Sequence, residues 1–299
     1  MKGRIEKVKV GVPNSFCYAG MENFFIRVIP EVLEDSQIIF SGKTTKEMVE
    51  YGLKNSCDEL CIPAKIFIGH VEYLIRKKNV DVLFLPRLVS LLPGTYSCPK
   101  IIGIPDIIKT SYCGVGLIVP EINLRKKRKI MSEKSMKNEH LFDFPMAKIA
   151  KTKNILVLAH SYVIFDEFLN KGILETIKNA GYNPIYPAYY RFSSFYISSD
   201  LPKEFFWSSA RDIYNYFEWA VNNTQIDGTV YLMTFGCGID SFLQELIMRK
   251  CNKVGLPYLC ITVDEHGADV GILTRIEAYL DMIEWRRKSD EKNNISTYG

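Results

Sequence analysis

The sequence predicts an α/β protein with two Rossmann-like domains, each built on a mainly parallel sheet, that face each other across a cleft. Short apolar runs alternate with segments whose apolar residues recur at helical spacing, the pattern of β-α repeats with helices on both sheet faces. The alternation stops at residues 125–150, where a basic and polar stretch intervenes, and then resumes. A chain of 299 residues with 47% hydrophobic content is also long enough to form two cores.

The first predicted domain covers residues 1–124. Its strands are predicted from short apolar runs, because a strand buried on both faces does not alternate apolar with polar residues. These strands are expected at residues 7–12, 37–40, 80–86 and 100–104. Helical spacing and capping residues predict helices at residues 22–33 and 44–52, one that follows Cys61, and a short one that begins at Pro105.

The second predicted domain covers residues 151–299, after a linker at residues 125–150. The same criteria predict strands at residues 154–158, 183–186, 227–233 and 258–263. Helices are predicted at residues 165–179, 203–221, 241–249 and 268–285. Ligands of open parallel sheets bind beyond the carboxyl ends of the strands, so the site is expected there.

Composition argues against several classes of protein. The chain has no apolar run of 18 or more residues and no secretory leader, so we expect a cytoplasmic protein without a membrane partner. With 38 basic and 34 acidic side chains, its charge is too balanced to indicate a nucleic-acid partner. The basic run at residues 125–129 could contact phosphate on a nucleic acid or a coenzyme, although such runs are more often solvated helix faces. Eight cysteines in a cytosolic chain favour metal binding, redox chemistry or burial over disulfides.

Three cysteines are predicted at strand-to-helix edges. Cys61 comes just before a helix with Pro63 in its first turn, where unpaired N–H groups and the positive dipole end favour a thiolate. Cys98 lies in a loop rich in turn residues, and Cys237 follows a predicted strand with a glycine on each side. The three thiols could converge between the domains. Three thiolates suit an iron-sulfur cluster with one iron left open.

Other interpretations of these residues stay open. Cys57, Cys61 and His70 are a candidate zinc set, although no second cysteine pair follows the Cys-x3-Cys pair. A catalytic cysteine paired with His70 or His266 is conceivable, yet no nucleophile motif accompanies either histidine. Cys61 could also be a half-buried structural residue. The sequence contains neither a P-loop nor a Gly-x-Gly-x-x-Gly turn, so a nucleotide site is not expected.

Charged groups gather after the last predicted strand, at Asp264-Glu265-His266. Glu265 and His266 are the candidate catalytic residues, whereas the alternative is a loop in which Asp264, Glu265 or Asp269 caps the following helix. Three further polar residues lie near the cysteines in sequence and are expected to support the site or donate protons: Glu59, His70 and Asp240.

A series of motifs in order spans nearly the whole chain. They are Glu59-x-Cys61-x-Pro63-x-Lys65, Gly69-His70-Val71, Val80-Asp81, Phe84-x-Pro86, Tyr96-x-Cys98-Pro99, Phe206-Trp207, Phe235-Gly236-Cys237-Gly238-x-Asp240, Asp264-Glu265-His266 and Thr274-Arg275-x-Glu277-Ala278. These motifs strongly resemble those of the activase-related proteins of the 2-hydroxyacyl-CoA dehydratase and benzoyl-CoA reductase superfamily. The resemblance implies two Rossmann-like domains that enclose an iron-sulfur cluster, and an ATP-hydrolysing activase that supplies low-potential electrons. By matching position, it assigns the cluster thiols to Cys61, Cys98 and Cys237. A 4Fe-4S cluster is expected, with a double-cubane cluster, as in some relatives, as the alternative.

Two features depart from the relatives. They commonly carry an Arg after the Gly-x-Pro of the first strand, where this chain has Asn14, and the run 15–20 is unlike theirs, so the first loop is expected to differ in use. The chain is also shorter than the dehydratase subunits. Binding of an acyl-CoA therefore does not follow from the resemblance.

Two classes of function are consistent with these observations. In the first, the protein is an enzyme or electron-transfer component that receives an electron from an activase and reduces or dehydrates a 2-hydroxyacyl-CoA or a small reducible molecule. In the second, it is a non-catalytic cluster carrier or scaffold that docks on an activase or a larger dehydratase. A homodimer is compatible with either class.

Overall fold

The computed structural model describes residues 7–125, 141–142, 145, 147–187, 201–265 and 269–296. Within them lie two four-stranded parallel sheets flanked by helices, together with a short two-stranded parallel sheet. The predicted α/β class with Rossmann-like parallel sheets is therefore confirmed. The predicted boundary at residues 125–150 falls largely outside the described residues, and the division into domains stays a prediction.

The first sheet has the strand order β2-β1-β3-β5, and a smaller sheet pairs β4 with β6. The elements of this part are β1 (Val8–Val12), a single 3-10 turn (Phe16–Tyr18), α1 (Glu22–Val32), β2 (Ser36–Phe40), α2 (Lys46–Lys54), α3 (Ile62–Lys78), β3 (Val82–Phe84), β4 (Arg87–Ser90), α4 (Pro99–Ser111), β5 (Gly116–Ile118) and β6 (Glu121–Asn123).

The second sheet has the strand order β10-β9-β7-β8. Its elements are β7 (Asn154–Leu158), α5 (Ser161–Ile164), α6 (Glu167–Asn170), α7 (Ile173–Asn179), β8 (Asn183–Ile185), α8 (Ser208–Asn223), β9 (Gly228–Thr234), α9 (Gly238–Lys253), β10 (Tyr258–Val263) and α10 (Asp269–Ser296). Every residue of β7 is buried, as expected for a parallel strand with helices on both faces.

Helices α2 and α3 pack at a distance that only glycine permits. A Cβ atom on Gly69 would lie 1.7 Å from the carbonyl oxygen of Met48, and one on Gly52 would lie 2.1 Å from that of Lys65. Because no side chain fits between the two backbones, this contact fixes how α3 lies on α2. The start of α3 carries Cys61, so the contact also helps to position that thiol.

The predicted strand at residues 100–104 is wrong, because these residues lie inside α4. The buried residues of this helix, Ile101, Ile104, Pro105 and Ile108, recur at three- and four-residue intervals. Pro105, predicted to begin a helix, lies within this one. The adjacent pair Ile101 and Ile102 resembles a strand run, but only the helical period accounts for the burial of Ile108.

The predicted helix at residues 165–179 is divided into α6 and α7, and α5 comes before them. Lys171 and Gly172 adopt left-handed backbone angles, with φ of 54° and 74°, and end α6. The Asp166 carboxylate accepts hydrogen bonds from the N–H groups of Phe168 and Leu169 and begins α6. The predicted helix at 203–221 begins later, at Ser208, and the strands β4, β5 and β6 were not predicted.

None of the helices among the described residues combines the length and the apolar character needed to cross a bilayer.

Candidate metal centre

Three helices of the structure begin at a cysteine. Cys61 is the N-cap residue of α3, Cys98 that of α4, and Cys237 that of α9. The first N–H groups of a helix have no partner within it, and the helix dipole adds positive potential at the same end. Each thiol therefore lies where a negative charge on sulfur is stabilised.

The three thiols line one cavity of about 70 Å³. Cys98 lies between β4 and α4, as a strand-to-helix edge requires, and Cys237 follows β9 of the second sheet. Cys61 instead lies between helices α2 and α3, so its predicted location at a strand-to-helix edge is wrong. The predicted convergence of Cys61, Cys98 and Cys237 on one place is thus observed in the fold, while their role as ligands stays a prediction.

The spacing of these thiols bears on the size of the group that they could hold. Four sulfurs around a single zinc ion lie about 3.8 Å apart, given tetrahedral Zn–S bonds of about 2.3 Å. Among the described residues, Cys61, Cys98 and Cys237 do not form a group with all ligand atoms within 4.8 Å of one another. At least one pair of these ligand atoms is therefore more than 4.8 Å apart, which a polynuclear group such as an iron-sulfur cluster accommodates.

The loops that carry Cys61 and Cys237 touch each other. Gly236 has a φ of 76°, which favours glycine, and a Cβ atom there would lie 3.6 Å from the Cα atom of Cys61. The Lys100 ammonium joins the same two loops, since Nζ lies 3.1 Å from the Glu59 carbonyl oxygen and 3.3 Å from that of Gly236. Lys100 thus brings positive charge to the cavity and holds two of the thiol loops together.

The Cys98 loop is held by the second part of the chain. Tyr96 forms an isolated parallel bridge with Trp207, in which the Tyr96 N–H donates to Phe206 and the Ser208 N–H donates to Tyr96. Both distances are 2.9 Å. This bridge fixes the loop two residues before Cys98 against the start of α8.

The walls of the cavity are largely apolar. Phe16, from the run 15–20 that departs from the relatives, packs edge-on against Tyr162 with ring centroids 5.0 Å apart. Ile101 and Ile239 line other sides. Burial raises the pKa of the Cys61 thiol to about 11, although the Ala64 N–H and the Lys100 ammonium act in the opposite direction. The expected preference for a thiolate at this helix start is therefore outweighed by desolvation, and a thiolate here needs a bound cation.

A histidine that sequence reasoning missed also lines this cavity. His160 Nε2 lies 3.1 Å from Asp240 Oδ1 and 3.8 Å from Cys237 Sγ. Asp240 also accepts hydrogen bonds from Tyr231 and Thr234. His160 comes two residues after the end of β7, so the strand-end rule that pointed to Cys237 would also have found it.

The His160–Asp240 pair favours the charged form of both residues. Burial opposes the charge of His160, but the Asp240 carboxylate outweighs it and raises the pKa of His160 well above its usual range. Burial likewise opposes ionisation of Asp240, but His160 outweighs it and lowers the pKa of Asp240. The Asp240 N–H lies 3.5 Å from Cys237 Sγ, while the predicted role of Asp240 in supporting the site stays a prediction.

The remaining predicted site residues lie elsewhere or make other contacts. His70 is fully buried, and its ring nitrogens contact the Ser41 hydroxyl at 2.7 Å and the Thr44 hydroxyl at 3.0 Å. Glu265 forms an ion pair of 2.8 Å with Lys65. Glu59 is exposed. Its backbone carbonyl oxygen accepts a hydrogen bond from Lys100 at the site. His266 lies outside the described residues.

The candidate zinc set of Cys57, Cys61 and His70 is not brought together. Cys57 is exposed, and both ring nitrogens of His70 contact hydroxyl groups. In the described part of the chain, a group of three metal-ligand side chains with ligand atoms within 4.8 Å occurs instead at His160, Cys237 and Asp240.

Comparisons with known proteins identify two families along the chain. Residues 9–152 match a family described as the CoA enzyme activase uncharacterised domain, and residues 189–283 match the D-component of 2-hydroxyglutaryl-CoA dehydratase. No curated protein gives a match. Among solved structures, one described as a candidate transcriptional regulator from Clostridium difficile 630 shares 10% identity at a TM-score of 0.23. That similarity covers 99% of this chain but only 59% of the other, and it is too small to bear on function.

Proposed function

Because this chain belongs to the activase-related proteins of the 2-hydroxyacyl-CoA dehydratase and benzoyl-CoA reductase superfamily, we propose that it holds an iron-sulfur cluster on Cys61, Cys98 and Cys237. In this proposal the cluster is of the 4Fe-4S type. It receives low-potential electrons from an ATP-hydrolysing activase and passes them to a substrate in the same cavity, which is either reduced or dehydrated.

The observation that carries the proposal is the shared cavity of three helix N-cap thiols from both parts of the chain. At least one sulfur pair is farther apart than around a single tetrahedral metal, and three thiolates would leave one iron of a cubane open. A double-cubane cluster has less support, because the remaining cysteines Cys17, Cys57, Cys113, Cys251 and Cys260 are absent from the lining of this cavity.

The residues around the thiols have roles that follow from their contacts. Lys100 holds the Cys61 and Cys237 loops together and offsets part of the negative charge of the thiolates. Phe16 and Tyr162 limit the access of water. A bound cluster would supply one-electron chemistry at an open iron, while the protein positions the thiols and excludes solvent.

An ATP-hydrolysing activase is the partner proposed from the same family assignment. The matches to a CoA enzyme activase domain and to a dehydratase component support a partnership with an ATP-dependent activase or a related component. Of the residues proposed as proton donors, Glu265 is engaged by Lys65, and His266 lies outside the described residues.

The experiment is an anaerobic purification followed by measurement of iron, acid-labile sulfide and paramagnetic signals. We expect a brown protein with about four irons for each chain. On addition of the activase, ATP and a strong reductant, a reduced-cluster signal should appear that is absent without ATP. A colourless protein with stoichiometric zinc would contradict the cluster, and equal reduction without ATP would contradict the activase step.

A second candidate, a cluster carrier or scaffold without chemistry of its own, is favoured by the size of the cavity. Its volume of about 70 Å³ is well below the roughly 300–1,000 Å³ of ordinary small-molecule sites. Addition of acyl-CoA compounds separates the two candidates. A substrate-dependent change in the cluster spectrum supports the enzyme, whereas activase binding without such a change supports the carrier.

A further inference from the structure

His160 and Asp240 form a polar pair with almost no exposure to solvent. The exposed fraction of the side chain is 3% for His160 and 0% for Asp240. The Asp240 carboxylate is held by the Tyr231 hydroxyl at 2.8 Å and by Thr234 at 3.3 Å. The imidazole in turn stacks on the Tyr162 ring at 4.9 Å, with 6° between the planes. The ring of His160 is therefore fixed in orientation.

The contacts determine which nitrogen of His160 carries a hydrogen. The Asp240 carboxylate is an acceptor, and Nε2 lies 3.1 Å from it, so Nε2 must carry the hydrogen. Nδ1 has no hydrogen-bond partner in the part of the chain that the structure describes. Whether or not Nδ1 also carries a hydrogen, the Nε2–H group is present in both charge states of the ring.

The same Nε2–H group reaches the sulfur of Cys237. The Nε2–Sγ distance is 3.8 Å, within the range of a hydrogen bond to sulfur, and the Asp240 N–H approaches the same sulfur at 3.5 Å. Among the three thiols at the cavity, Cys237 is the one that a ring N–H donor contacts in the part of the chain that the structure describes. Hydrogen bonds to ligand sulfurs are one of the means by which proteins set the potential of iron-sulfur clusters.

We propose that His160 is a positioning residue that shares its Nε2–H between the Asp240 carboxylate and the Cys237 sulfur and thereby raises the reduction potential of the cluster, with Asp240 holding the ring in place. This inference rests on the proposed function. An N–H donor at the sulfur stabilises the added negative charge of the reduced state more than it stabilises the oxidised state. Removal of the donor therefore makes reduction harder.

The test is an anaerobic redox titration of the cluster-loaded full chain, followed by its visible and paramagnetic spectra. His160→Phe keeps a planar ring against Tyr162 but has no N–H. His160→Gln keeps an N–H donor near the position of Nε2. The matched control is Ile164→Val, in the same short helix α5 and buried, but outside the lining of the cavity.

We expect the reduced-to-oxidised ratio at a fixed potential to fall about tenfold in His160→Phe, which corresponds to about 59 mV for one electron. Ile164→Val should stay close to the wild type, and His160→Gln should shift clearly less than His160→Phe, because it loses the imidazolium charge but keeps an N–H donor. An unchanged potential in a fully loaded His160→Phe, or an equal shift in His160→Gln, would overturn the inference. A wild-type protein that takes up no cluster would instead overturn the proposed function.

A second measurement covers the case in which His160→Phe does not fold or load. Wild-type protein with ¹⁵N-labelled histidine should show a weak nitrogen coupling to the reduced cluster in pulsed paramagnetic spectra, as expected for a hydrogen bond to a ligand sulfur. A strong coupling, typical of direct coordination by histidine, would overturn the inference, and so would the absence of any coupling.

Discussion

Lys65 Nζ lies 2.8 Å from Glu265 Oε1, and this ion pair joins α3 to the end of β10 in the second sheet. The exposed fractions of the two side chains are only 8% and 13%. Lys65 lies one turn after Cys61, and Glu265 lies two residues after the last residue of β10. The pair therefore links the thiol-bearing helix to the opposite sheet, which makes its strength relevant to the position of Cys61.

Replacing Lys65 with Met should destabilise the protein, because it removes the ammonium group beside a largely buried carboxylate. We expect the free energy of unfolding to fall by about 3 kcal/mol. Urea unfolding measures the change. Lys43→Ala, which breaks the exposed ion pair between Lys43 and Glu167, is the control and should show no measurable loss. Equal effects of the two substitutions would show that burial does not strengthen the Lys65 contact.

Serine at any one of the three cavity cysteines should remove most of the bound iron and sulfide, because each substitution deletes one thiolate bond to the cluster. Cys57→Ser is the matched control, since Cys57 is exposed and only four residues before Cys61. Cys251→Ser and Cys260→Ser should also keep the cluster. Iron and sulfide assays on the anaerobic variants decide the point. Loss of cluster in Cys57→Ser as severe as in Cys61→Ser would mean that the ligand in this segment is wrongly assigned.

Gly69→Ala should be strongly destabilising. Its new Cβ atom would lie 1.7 Å from the Met48 carbonyl oxygen, so α2 and α3 must move apart. Overpacking of this kind costs about 1–3 kcal/mol or more. Gly103→Ala in α4, where a Cβ atom meets nothing within 4 Å, should instead be neutral or stabilising. Thermal unfolding of the two variants compares them directly, and a similar melting temperature for both would contradict the close helix contact.

His70 should make the protein less stable as the pH falls. Burial lowers the pKa of His70 in the folded protein to about 3, whereas the ordinary value is about 6.5. Between these values the unfolded chain binds a proton that the folded protein does not. The stabilising contribution is thus complete above about pH 6.5 and is lost below it, by up to about 1.4 kcal/mol for each pH unit.

The measurement compares urea unfolding of the wild type and His70→Gln at about pH 7.5 and 5.5. The stability of the wild type should fall more steeply than that of the variant, because glutamine does not titrate in this range. Asp166, which shares the Thr44 hydroxyl with His70, titrates in both proteins and cancels in the comparison. Identical slopes in both proteins would show that His70 is protonated equally in the folded and unfolded states.

Periodicity in the sequence predicted most elements because each depends on neighbours within a few residues. The buried run of β7 and the start of α3 after Cys61 are examples. The strand wrongly predicted at residues 100–104, inside α4, has the same origin, because that prediction also used only neighbouring residues. A four- or five-residue apolar run fits both a strand and one face of a helix, and only the packing of Ile104 and Ile108 separates the two.

The sequence by itself determined the α/β class and the location of Cys61 and Cys237 at the starts of helices, because both depend on local pattern. That Cys98 also begins a helix was decided by the packing of α4. Only the tertiary structure decided which polar groups meet around these thiols. It brought Lys100 across to Gly236 and His160 to Cys237, 77 residues away, and it held His70 against Ser41 and Thr44 instead. Contacts between residues so distant in sequence follow from strand register and helix packing, which no local pattern encodes.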